Sequence, residues 1–138
     1  MPLTVKPEAA AIPQAAPDRF RQLVGRATRL STNFRFQPNS VALDNRGQRD
    51  LDRLVNFIVS VHAASTQVIL VGFADNTGNP IANLAVSKKR AEAVAAGLAE
   101  RGLRVGQVAA FGAELPVADN NSDDGREKNR RVEVYVQL

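Results

Sequence analysis

Leu51, Leu54, Val55, Ile58 and Val61 recur every three or four residues, which predicts an amphipathic helix over residues 45–63. Just before it, Phe34 and Phe36 alternate with Asn33, Arg35 and Gln37, the period of a half-buried strand over residues 32–37, closed by Pro38 and Asn39. The stretch "TQVILVGFA" is apolar without alternation, as expected of a central strand covered on both faces. A turn follows at Asp75–Asn79. Pro80 suits the first position of a helix running to about Gly102, with Ile81, Leu84, Ala91, Val94, Ala95 and Leu98 as its apolar stripe. "RVGQVAAFG" reads as a third strand. "RRVEVYVQL" alternates Val132, Val134 and Val136 with Glu133, Tyr135 and Gln137, a last strand with one wetter face.

Three further segments complete the order. "DRFRQLVGRATRL" places Phe20, Leu23, Val24 and Ala27 at helical spacing, so a short helix is expected within residues 18–29. "AELPVADNNSDDGREKN" is polar and turn-rich and reads as a long loop. Residues 1–17 hold four prolines among alanines with no sustained period, the composition of an extended linker. The expected fold class is therefore α+β: a βαβαβ-β two-layer sandwich over residues 18–138, its helices packed on one mixed four-stranded sheet.

Composition narrows the function. The chain has 138 residues, enough for one domain with a self-sufficient core, and it contains no cysteine, which excludes disulfides and thiolate chemistry. One histidine, His62, and no cysteine exclude the usual zinc sets, and "NNSDDG" lacks the ligand spacing of a calcium loop, so no metal or cofactor is expected. The same lone His62, with no nucleophile motif, argues against catalysis. A net charge of +4 suits an anionic partner. The basic residues are nevertheless dispersed among acidic ones, and aromatic residues make up only 5%, which argues against nucleic acid. No stretch reaches the ~18 consecutive apolar residues of a membrane-spanning helix.

The polar residues around the third element are the candidate chemistry. At about 100° per residue, Asn83 and Arg90 fall within about 20° of each other on their helix, with Ser87 between them, at the edge of the core. Asp75 leaves the carboxyl end of the central strand, where open α/β sheets form ligand crevices. Spacing alone leaves two readings open: Asp75 and Arg90 face one crevice, or Asp75 merely closes a turn while Arg90 makes a surface ion pair.

The chain from Phe34 to Val136 resembles the OmpA-like domain, the peptidoglycan-binding module of outer-membrane protein A, the peptidoglycan-associated lipoprotein and flagellar stator proteins. The likeness lies in Phe34, Phe36, Ser40 and Leu43; in Gly72, Asp75, Thr77, Gly78, Asn83, Ser87, Arg90 and Ala91; and in Gly125, Arg126 and the "NRRVE" of Asn129–Glu133. It implies that Asp75 and Arg90 grip the diaminopimelate of the wall peptide, helped by Thr77, Asn83, Asn129 and Arg130. Arg90 would fork the carboxylate and Asp75 would take the ammonium. It further implies a periplasmic place in a Gram-negative envelope, a tether through the N-terminal linker to a membrane or another envelope domain, and compatibility with an oligomer. Where the family usually carries histidine and threonine before the aspartate, this chain has Phe73 and Ala74, a departure that keeps a second reading in view: a protein-interaction or oligomerisation domain of the same fold that has lost wall binding.

Overall fold

The structure, a computed structural model, describes residues 18–61 and 67–137; the linker expected over residues 1–17 and His62 lie outside the described residues. The elements run α1 (Asp18–Val24), β1 (Thr28–Arg35), α2 (Asn45–Val61), β2 (Gln67–Gly72), α3 (Pro80–Glu100), β3 (Gln107–Ala110), α4 (Asp123–Asn129) and β4 (Arg131–Gln137). The four strands form one mixed sheet in the order β1-β4-β2-β3. β3 lies parallel to β2, whereas β4 runs antiparallel to both β1 and β2. The expected α+β class with helices on a mixed four-stranded sheet is the one found.

Period decides which face each residue serves. Val68 and Leu70 of β2, Val132, Val134 and Val136 of β4, and Leu30, Phe34 and Phe36 at β1 form one core with Leu51, Leu54 and Ile58 of α2 and Ala91, Val94 and Leu98 of α3. Each fully buried aliphatic or aromatic side chain contributes roughly 1.5–3 kcal/mol relative to exposure, so this layer carries most of the hydrophobic stabilisation. The other face of the same strands presents Ile69, Val71 and Tyr135, which pack with Phe73 and Phe111 against Phe20 and Val24 of α1.

That second cover explains the departures from expectation. The expected N-terminal helix ends at Val24, and Thr28–Leu30 are already strand, because Leu30 is needed in the main core opposite α2. β4 has no wet face. It is an interior strand, and its polar positions Arg131 and Glu133 are each only 3% exposed, bonded to one another beneath the second layer. α4 falls inside what reads as loop; Ser122 caps it by accepting from Gly125 N at 2.9 Å. A Cβ at position 125 would lie 1.7 Å from the Asp119 carbonyl, so only glycine lets this helix fold back on its own loop.

The stripe expected on α3 holds from Ala91 onward, but Ile81 is 83% and Leu84 44% exposed. α3 meets the sheet at Ser87, whose carbonyl would lie 2.0 Å from a Cβ on Gly72, and the turn before it overhangs the sheet's end. Asn79 caps that overhanging turn, its side chain accepting from Ala82 N at 2.8 Å, with Pro80 at the first helical position.

Candidate ligand-binding site

β2 ends at Gly72, and Ala74 N is held by the Gly112 carbonyl at 2.8 Å, so Asp75 is delivered just beyond the carboxyl end of an interior strand. Asp75 is buried, 8% exposed as a residue. Its Oδ1 accepts from Thr77 N at 3.0 Å, and its Oδ2 accepts from Arg130 Nη1 at 2.8 Å. Burial alone would raise this carboxyl's pKa. Hydrogen bonds from the Thr77 and Arg130 side chains and from the Thr77 backbone, together with the Arg130 charge, outweigh burial and hold it below its ordinary value.

Arg130 is itself fixed. Its Nε donates to the Phe36 carbonyl at 2.8 Å, which joins the end of β1 to the start of β4 and aims the guanidinium at Asp75. The direct partner of Asp75 is thus Arg130; no hydrogen bond or ion pair joins Asp75 to Arg90 among the described residues.

Arg90 enters from α3, only 2% exposed, deeper than a position at the core's edge suggests. Its Nε donates to the Ser40 carbonyl at 2.9 Å and its Nη2 to the Gln37 carbonyl at 3.2 Å, while its guanidinium carbon stands 5.4 Å from the centre of the Phe36 ring. One edge of the guanidinium is therefore committed to backbone, and Nη1 on the opposite edge has no hydrogen-bond partner among the described residues. Burial, followed by repulsion from Arg130 and only partly offset by Asp75, lowers the pKa of Arg90 to about 10. Those interactions also place all three charges within electrostatic reach of one another.

Asn83 and Asn129 serve the frame. The Asn83 amide accepts from Gly78 N at 3.1 Å and donates to Gly78 O at 3.0 Å, closing the loop that carries Asp75 and Thr77. Asn129 is fully buried; its Oδ1 accepts from Val117 N and Ala118 N at 2.8 and 3.1 Å, and its Nδ2 donates to Ala118 O and Asn120 Oδ1 at 2.9 and 2.8 Å. Both amides are occupied by groups of the loops they close. Of the six residues marked by the sequence, the structure gathers Asp75, Thr77, Arg90 and Arg130 at one place and sets Asn83 and Asn129 behind them.

The carbonyls of Phe36, Gln37 and Ser40 escaped sequence reasoning. Backbone acceptors leave no residue-type signature; the available signal was the Pro38–Asn39 turn, where Asn39 takes φ 57° and swings this loop across the guanidiniums. Phe73 does not face the crevice. It stacks on Phe111 at 6.2 Å between ring centroids and lies beneath the Arg131 guanidinium at 3.8 Å, so the aromatic replacement belongs to the second core. No group of residues able to hold a metal ion occurs among the described residues.

The sequence profile of the OmpA family matches residues 35–130. This chain belongs to the OmpA family. Outer membrane protein A of Yersinia pseudotuberculosis is 31% identical over 119 residues, covering 78% of this chain and 34% of that protein. The peptidoglycan-binding protein ArfA of Mycobacterium tuberculosis is 40% identical over 72 residues, covering 51% of this chain and 22% of ArfA. Among solved structures, the peptidoglycan-associated lipoprotein from Burkholderia pseudomallei superposes with a TM-score of 0.69 at 27% identity, covering 76% of this chain and 89% of that one. This chain therefore spans about a third of the length of that outer membrane protein A and less than a quarter of ArfA.

Proposed function

We propose that this OmpA-family domain binds peptidoglycan non-covalently through the diaminopimelate residue of the stem peptide and so anchors a larger envelope protein to the cell wall. The observation that carries the reading is the buried assembly of one carboxylate, Asp75, with two guanidiniums, Arg90 and Arg130, beyond the carboxyl end of β2. The side chain of diaminopimelate ends in a carbon bearing both a carboxylate and an ammonium. The open edge of Arg90 suits the carboxylate, and Asp75, with Thr77 beside it, suits the ammonium. The resemblance to wall-binding relatives supports the same assignment.

In this reading Asn83 and Asn129 act on the ligand through the loops they fix, and the domain works on the periplasmic side of a Gram-negative envelope with residues 1–17 as its tether. The magnitudes suit an anchor. Charge-assisted hydrogen bonds contribute about 1.5–3 kcal/mol each, and ordering a flexible peptide offsets much of that, so one site holds weakly. A wall displays the ligand in many copies, and a tethered domain meets them at high effective concentration.

Calorimetric titration with a diaminopimelate-containing stem peptide, beside the same peptide carrying lysine, tests the reading. Saturable binding of the first and at least about tenfold weaker binding of the second is expected, since lysine lacks the second carboxylate. Absence of binding by either peptide would replace wall anchoring with the protein-interaction reading.

A further inference from the structure

The three charged groups of the site do not stand equal before a ligand arrives. Asp75 is already matched: Arg130 Nη1 lies 2.8 Å from its Oδ2, and Thr77 donates to its Oδ1. Arg130 is matched in turn by Asp75 and by the Phe36 carbonyl. Arg90 has neutral partners only, the carbonyls of Ser40 and Gln37 and the face of Phe36, and no carboxylate pairs with it among the described residues. It is nonetheless 2% exposed. A buried cation whose nearby anion, Asp75, is already paired with another guanidinium is costly, and the group that relieves the cost is a further anion.

We infer that the site is chiefly a carboxylate receptor: the free carboxylate of the diaminopimelate side chain supplies most of the recognition and its ammonium little. The inference rests on the wall-peptide reading and deepens it. An incoming carboxylate meets the open edge of Arg90 without breaking any bond of the free protein, and it supplies the charge missing from a cluster of two cations and one anion. An incoming ammonium meets the reverse situation. It approaches a carboxylate that has a cationic partner, and it must share Asp75 with Arg130 or displace it, adding positive charge to a place that already holds an excess. Its net gain is therefore small even though its geometry beside Asp75 and Thr77 is good. A consequence is that a wall whose diaminopimelate carboxylate is amidated is a poor ligand, whatever its amine content.

The test uses the unaltered chain and three stem peptides that differ only at this side chain: the parent with diaminopimelate, its side-chain carboxamide, and a 2-aminopimelate analogue in which hydrogen replaces the side-chain ammonium. Calorimetry with each, at low and moderate salt, is expected to show the 2-aminopimelate peptide within about threefold of the parent and the carboxamide at least about thirtyfold weaker, the loss associated with a charge-assisted contact to a buried guanidinium. Loss on removing the ammonium equal to or greater than the loss on amidation would overturn the inference while leaving wall binding intact. Failure of the parent peptide to bind would overturn the wall-peptide reading itself, and the inference with it.

Discussion

Asn129 and Asp75 are both buried polar side chains in loops at the same end of the sheet, yet their partners give them different roles. All four hydrogen bonds of Asn129 close on backbone or on Asn120 within residues 117–120. Asn129→Ala leaves those groups unpaired in a dry loop and is expected to cost about 1–3 kcal/mol, read as a lower urea midpoint at unchanged slope. Asp75 makes a charge-dependent contribution. Its folded-state pKa lies below the ordinary 3.8, so the stability it confers is full above that pH and disappears as pH falls through the lowered value. Asp75→Asn should therefore be less stable than the parent from neutral pH down to about 4 and converge with it in stronger acid; melting curves across that range would refute the pairing if the two proteins stayed parallel. Sequence reading marked Asp75 and Arg90 by spacing and Arg130 only through the family resemblance. It did not show that Arg130 and not Arg90 holds Asp75, because that choice depends on where the Phe36 carbonyl anchors a guanidinium contributed from far along the chain.

Elements with a strong period were legible and those without one were not. α2 and the latter part of α3 carry helical stripes of large apolar residues, and both bury them as expected. α4 contains no apolar side chain at all; it exists because Ser122 caps it and Gly125 permits close folding, signals that a polar loop also displays. The wetness expected of β4 failed because α1, only seven residues long, covers the second face of the sheet. Phe20 is the centre of that cover, 4% exposed and edge-on to Phe73, Phe111 and Tyr135 with centroids 6.2, 5.2 and 6.2 Å away. Phe20→Ala should cost about 3–5 kcal/mol, measured by denaturant unfolding. A change under 1 kcal/mol would mean that α1 is not a structural part of the domain.

At the scale of the whole molecule, topology gathers scattered residues into one charged cluster. Inserting β4 between β1 and β2 brings the start of β4, with Arg130, to the same end of the sheet as the loops that follow β1 and β2. α3 then crosses from β2 to β3 and lowers Arg90 onto that end. The fold was legible because it follows from periods and connection rules, whereas the site is half made of backbone carbonyls and could be read only as a set of charged residues. The most direct test of the account is a nuclear magnetic resonance titration of the isotope-labelled chain with the diaminopimelate stem peptide, following backbone amides and arginine Nε–H signals together. Saturable shifts concentrated at Thr77, at the Arg90 and Arg130 side chains and along residues 36–40 are the predicted result. Shifts confined to α1 or to the exposed first turn of α3, with Arg90 and Arg130 unmoved, would contradict it.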